Sequence, residues 1–348
     1  LIFTKLYKNS TRDLGTLRYF REKLQRRNVT RDVKHYEHCE QLFLTTGFCY
    51  TIEALLEFFQ MASRDANPTK NIPPWHNISL GDNRKKYFDS VLDKFIINYL
   101  LPPNDSSPRN DEDWIMNYSL SLLKFYFIMV DFKDAVKEGN GKHISILHKQ
   151  LLHHFKSVPG FNAYAIETLV SIIQTDVLLS EAESNQVTWA GTVNWLGGNG
   201  KNIEIDLLQE NRNKDIKGMI KSMGANKTTQ AITRASRAAG GVRLIVENFD
   251  YNVQLTKQSS THTHRSSKDD EEIVLRDLRN LRPFQFSRGR KHKAFPKIEA
   301  GNFKTLNDKE FEVWLSRHKN NFLVSTPVEE DEDEEEEANG EEADENSN

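Results

Sequence analysis

Gly224-Ala-Asn-Lys-Thr-Thr-Gln-Ala-Ile-Thr-Arg-Ala-Ser-Arg-Ala-Ala-Gly-Gly-Val-Arg-Leu-Ile-Val-Glu-Asn-Phe-Asp250 reads as a helix with a marked start. Gly224 ends what precedes it, and Asn226 or Thr228 can cap the new helix by accepting a bond from a free backbone N–H. Ile232, Ala235, Ala239, Val242, Ile245 and Phe249 then recur every three or four residues, which makes one apolar stripe. Arg234, Arg237 and Arg243 fall off it. The pair Gly240-Gly241 costs roughly 1 kcal/mol per residue against Ala, so a kink or break is expected there. Two readings fit: a basic helix lying near a phosphate backbone, or a core helix with a solvated Arg face.

The same period recurs on both sides and predicts a mainly α, multi-helix globular protein. Thr16 to Asn28 reads as a basic amphipathic helix, and Tyr36 to Met61 as a longer one with a wide apolar face. Arg84 to Leu100 should turn Tyr87, Phe88, Val91, Leu92, Phe95 and Ile96 inward. Trp114 to Val136 is expected to be the most buried helix. Helices over His143 to Phe155 and Ala163 to Leu179 follow, then a Gly- and Trp-rich loop from Trp189 to Gly200. After a polar linker, a helix is expected from Ser267, with Asp270 completing a capping-box-like start, and a last one over Asp308 to His318. This divides the chain into a main helical domain (1–255), a linker (256–267), C-terminal helices with a basic strap (268–328) and an acidic tail (329–348).

Two cysteines, Cys39 and Cys49, make no disulfide framework, so a reducing intracellular compartment, the nucleus included, is expected. The longest apolar run, Tyr118 to Val130, contains Lys124 and is too short to cross a membrane, so no membrane partner is expected. His35, His38 and Cys39 lack the matching half of a four-ligand zinc site. The net charge of −3 hides an asymmetry, because Glu329 to Asn348 holds thirteen acidic residues and no basic ones. Without that tail 47 basic residues face 37 acidic ones, a body of about +10 that suits a nucleic-acid partner. The tail itself is too charged to fold.

Several segments together carry a resemblance. Gly224-Ala-Asn-Lys-Thr228 and its helix, Glu247-Asn-Phe-Asp250, Gly289-Arg-Lys-His292 and Phe295-Pro296 are similar to the family called domain of unknown function 6589. Leu14-Gly-Thr-Leu17 and Leu24-Gln-Arg-Arg-Asn-Val29 fit the same pattern. That resemblance implies a transposon-associated protein related to transposases with a ribonuclease-H-like core. This chain would be the helical C-terminal part of one, with the strand-rich start and an early acid lying upstream of Leu1. Two-metal nucleases of this kind place their last acid on a helix, and Glu167, in Ala163-Tyr-Ala-Ile-Glu-Thr-Leu169, matches that position, with Ala163 in place of the family's Asn. It sits inside the apolar run of Ile166, Leu169, Val170, Ile172, Ile173 and Val177, where a carboxylate is costly unless paired, protonated or bound to a cation, and it is otherwise a helix-surface Glu or a buried one paired with an Arg. Asp206 and Glu210, with Asn213, share one helical face and could join it in holding Mg²⁺ in an intact relative, or could form a polar network instead. Asn140 and Asn211 stand where the family pattern has an acid and a His.

The function expected on this basis is DNA binding by a transposase-like protein, with no cofactor and no strand cleavage by this chain alone. Its contacts would come from Arg18, Arg21, Arg26 and Arg27, from Lys227, Arg234 and Arg237, and from Arg288, Arg290 and Lys291. The alternative is a helical interaction scaffold with its basic residues spread evenly over the surface.

Overall fold

The computed structural model describes residues 1–8, 12–72, 81–101, 112–195, 197–225, 227–253, 267–298 and 308–323. Among these the fold is helical: α1 (Ile2–Leu6), α2 (Leu17–Lys23), α3 (Tyr36–Phe59), α4 (Gly81–Tyr99), α5 (Trp114–Glu138), α6 (Gly141–Lys156), α7 (Asn162–Ile173), α8 (Glu181–Ala190), α9 (Ile205–Ser222), α10 (Thr229–Asn252), α11 (Lys268–Leu281) and α12 (Asp308–Leu323). A π turn, Gln174–Leu178, follows α7, and two short strands, β1 (Thr192–Val193) and β2 (Ile203–Glu204), pair antiparallel across Gly197, Gly198 and Gly200. The chain splits into a unit of residues 1–304 and a second of residues 305–348. In the second, α12 stacks Phe311 on Trp314 with ring centres 5.8 Å apart.

The core is built by α1, α2, α3, α5 and α11 with the strap that follows α11. Phe20, Leu42, Phe43, Tyr50, Leu122, Phe125, Val274, Leu278, Phe284 and Phe295 are all buried in it. The match of the 24-residue α3 to its apolar face is close, and a left-handed Gln60 closes it. α3, rather than α5, buries the larger share of its residues, because α2, α5 and α11 all pack against it. Both helices are long and apolar enough in composition to cross a bilayer, which no uninterrupted run revealed, and both send side chains into this core.

At the α3–α5 crossing, a Cβ on Gly47 would sit 2.2 Å from Tyr126 Cδ2. A mid-helix Gly normally gains about 1 kcal/mol on becoming Ala. Gly47→Ala is expected to lose about 1–3 kcal/mol instead, because the Tyr126 ring must move. Urea unfolding checks this, and a stabilised variant would refute it.

His154 of α6 is buried against Phe125, ring centres 5.0 Å apart. Burial, then the charges of Lys5, Lys124 and His153, push its pKa down from 6.5 to about 3. The unfolded chain therefore takes up this proton first. The stability associated with neutral His154 is fully present above about pH 6.5 and is lost as pH falls toward 3. Unfolding midpoints are expected to drop between neutral pH and pH 4.5, and more steeply in the wild type than in His154→Leu; identical slopes would count against it.

Several elements differ from expectation for physical reasons. α2 stops at Lys23, well before Asn28, because Gln25 turns left-handed and the Arg21 guanidinium donates to the carbonyls of Val29 (3.0 Å) and Arg27 (3.1 Å). α4 buries Phe95 but leaves Phe88, Leu92 and Ile96 exposed. α8 had no sequence counterpart, although Ser180 and Glu183 form a complete capping box. Asp270 does not close such a box at α11, since it pairs with Arg26. α10 runs unbroken through Gly240 and Gly241, capped by Thr228, whose hydroxyl accepts from Ala231 N at 3.2 Å. Asn226, most of the linker and the acidic tail lie outside the described residues.

Candidate nucleic-acid interface

The basic strap leaves α11 through a left-handed Arg282 and is fixed at three places. Asp113, 1% exposed in its side chain, accepts from Arg290 Nε (2.9 Å) and Nη2 (2.7 Å) and from Ser287 N (2.9 Å). The same carboxylate caps α5, accepting from Ile115 N (3.1 Å) and Met116 N (3.0 Å). The other Arg290 donors reach the carbonyls of Leu281, Arg282 and Gln285 at 3.0–3.2 Å. Further along, Ala294 N donates to Asp13 at 2.8 Å, and Asn117 Nδ2 donates to Ile298 O at 2.8 Å. Phe295 packs on Tyr118 with ring centres 4.8 Å apart.

This fastening sorts the strap's side chains. Phe284, His292, Ala294 and Phe295 point inward, while Arg288, Lys291, Lys293 and Lys297 are exposed. Lys8, from the segment after α1, is exposed beside them with its ammonium 5.0 Å from the Phe295 ring centre. Burial holds the His292 imidazole below its ordinary pKa. A rigid irregular segment that displays cations in fixed register can meet successive phosphates without first ordering itself.

The other residues singled out in the sequence fall in several places. Arg18 donates to Tyr7 Oη (3.2 Å) and pairs with Glu22 (3.0 Å). Arg21 also pairs with Glu22, and Arg26 with Asp270. Arg18 reaches Tyr7 and Arg26 reaches Asp270 of α11, Arg21 holds α2 to the turn that follows it, and Arg27 is exposed. Lys227, Arg234 and Arg237 are exposed at the start of and along α10. Arg290, one of the strap's nominated contacts, is the half-buried fastening itself, paired with the buried Asp113. Lys8, Lys293 and Lys297 were missed: the alternation of Lys with Ala294-Phe295 hints at the last two, but only the tertiary fold brings Lys8 to them.

Glu167 is exposed on α7, and Asp206 and Glu210 are exposed on α9. Among the described residues no group of three or more His, Cys, Asp or Glu side chains is placed to hold a metal ion. Glu167, Asp206 and Glu210 belong to no such group among the described residues. On α9, Asn213 accepts from Gln209 at 3.2 Å.

The profile of the family of unknown function DUF6589 matches residues 1–262. The chain belongs to that family. The DUF6589 match ends before α11 and the strap, yet Val274, Leu278, Phe284 and Phe295 complete the core of the matched part. No curated protein and no solved structure matches the chain.

Proposed function

We propose that this DUF6589 chain is a transposase-related, DNA-binding helical protein that does not cut strands by itself. The observation that supports the reading is the fastened strap, on which the buried Arg290–Asp113 pair and the Asp13–Ala294 bond hold Lys291, Lys293 and Lys297 outward, next to Lys8. The body's charge of about +10 without the acidic tail points the same way.

The test is fluorescence anisotropy of the full chain on duplex DNA across a salt series. A steep linear fall of log affinity with log salt is expected. Metal-stimulated cleavage abolished by Glu167→Ala would overturn the non-catalytic part. Absence of binding even at low salt would favour a helical interaction scaffold, a reading supported by the exposed apolar residues of α4 and α10.

A further inference from the structure

α10 carries a long apolar face that the described residues leave open. Its main neighbour is α9, to which Arg243 ties it by an ion pair with Asp215 (3.3 Å), while the same guanidinium lies 4.9 Å from the Trp195 ring centre. At 100° per residue, Val242, Val246, Phe249 and Val253 share one narrow face, bordered by Ile245. These five are 44–70% exposed, Ile245 the most. One turn and more toward the N-terminus, the same face is small: Ala235 and Ala238.

We infer that this face is covered by a second copy of the chain, the two α10 helices packing antiparallel about a two-fold axis at Val242. The pattern is self-complementary. Turning the helix end for end about Val242 sets Phe249 of one copy over Ala235 of the other, and Val246 over Ala238, so large residues meet small ones along the whole contact. Ala235 and Ala238, small and on the same face, let the two backbones approach. The area sits at the threshold: one Phe of about 150–250 Å² and four smaller aliphatic side chains, 44–70% exposed, supply at most roughly 500 Å² per copy. A two-fold pair doubles that to about 1,000 Å², the lower bound for a specific interface, so the dimer is reversible and concentration-dependent. A closed two-fold contact uses the same patch twice and leaves none of it over.

Light scattering on the full chain over a range of concentrations tests the idea, and the mass is expected to rise from that of one chain toward two. Phe249→Asp should hold it at one chain with unchanged helical circular dichroism and melting, because Phe249 contributes nothing to the core. Val242→Cys should form a disulfide-linked dimer on mild oxidation, since this residue faces its own copy, whereas Arg237→Cys should not. Cys39 and Cys49 are buried and do not compete. A monomer at every concentration overturns the inference. So does a dimer that survives Phe249→Asp with no Val242→Cys cross-link, and so does a monomer in which Val242→Cys is shielded from thiol reagents by another part of the chain.

Discussion

Asp113→Ala is expected to destabilise the folded protein by about 3–5 kcal/mol, the usual cost of removing one partner of a buried ion pair. The effect is large because one carboxylate serves three elements. It caps α5 through Ile115 N and Met116 N, holds Arg290 with two oxygens, and receives Ser287 N. Alanine leaves the guanidinium largely buried without its counter-charge and frees three backbone donors at once. Asp113→Asn keeps a cap acceptor but not the charge, so it should fall between wild type and alanine. Urea unfolding measures both; a loss under about 1 kcal/mol for the alanine variant would mean that water replaces these contacts and that the strap is not fastened there.

Replacing Lys8, Lys291, Lys293 and Lys297 together by Gln is expected to flatten the salt dependence of DNA binding. Each phosphate contact contributes roughly 0.9 to the slope of log affinity against log salt on duplex DNA, so the slope should shrink by about three to four. All four side chains are exposed and none fastens the strap, so melting should hardly change. The matched control is Arg18→Gln with Arg26→Gln, which removes two cations of the same chain that are already paired with Glu22 and Asp270. That pair should weaken folding while leaving the slope nearly intact. Equal slopes in wild type and the fourfold variant would remove the strap from the interface.

The long helices were legible, α8 was not, and neither were the roles of the arginines. α3, α5 and α6 announce themselves through apolar periodicity, and Thr228 through its place before a helical run, because those signals are local. Gly240-Gly241 shows the limit of propensity: a roughly 2 kcal/mol preference against helix did not break a 24-residue element. Arg26 and Asp270 are 244 residues apart in sequence, so nothing near Arg26 tells whether it meets a phosphate or a carboxylate. The same holds for Arg290, which sits in the most basic stretch of the chain and spends its charge on Asp113, 177 residues earlier. Glu167 was singled out for its apolar neighbours in sequence, but on α7 those neighbours occupy the other faces, and the carboxylate stays in water.

Cys49 lies beneath the start of α11, its thiol donating to Glu271 O at 3.7 Å, and burial followed by the Glu271 charge pushes its pKa up to about 12. Thiolate is the species that reacts, so alkylation of this sulfur in the closed protein is negligible at neutral pH. Any labelling that does occur must pass through an open form in which α11 has lifted from α3. The rate of Cys49 modification is therefore a clock for that local opening. Because α11 leads directly into the strap, the clock would slow whenever a bound ligand clamps the strap against the rest of the fold.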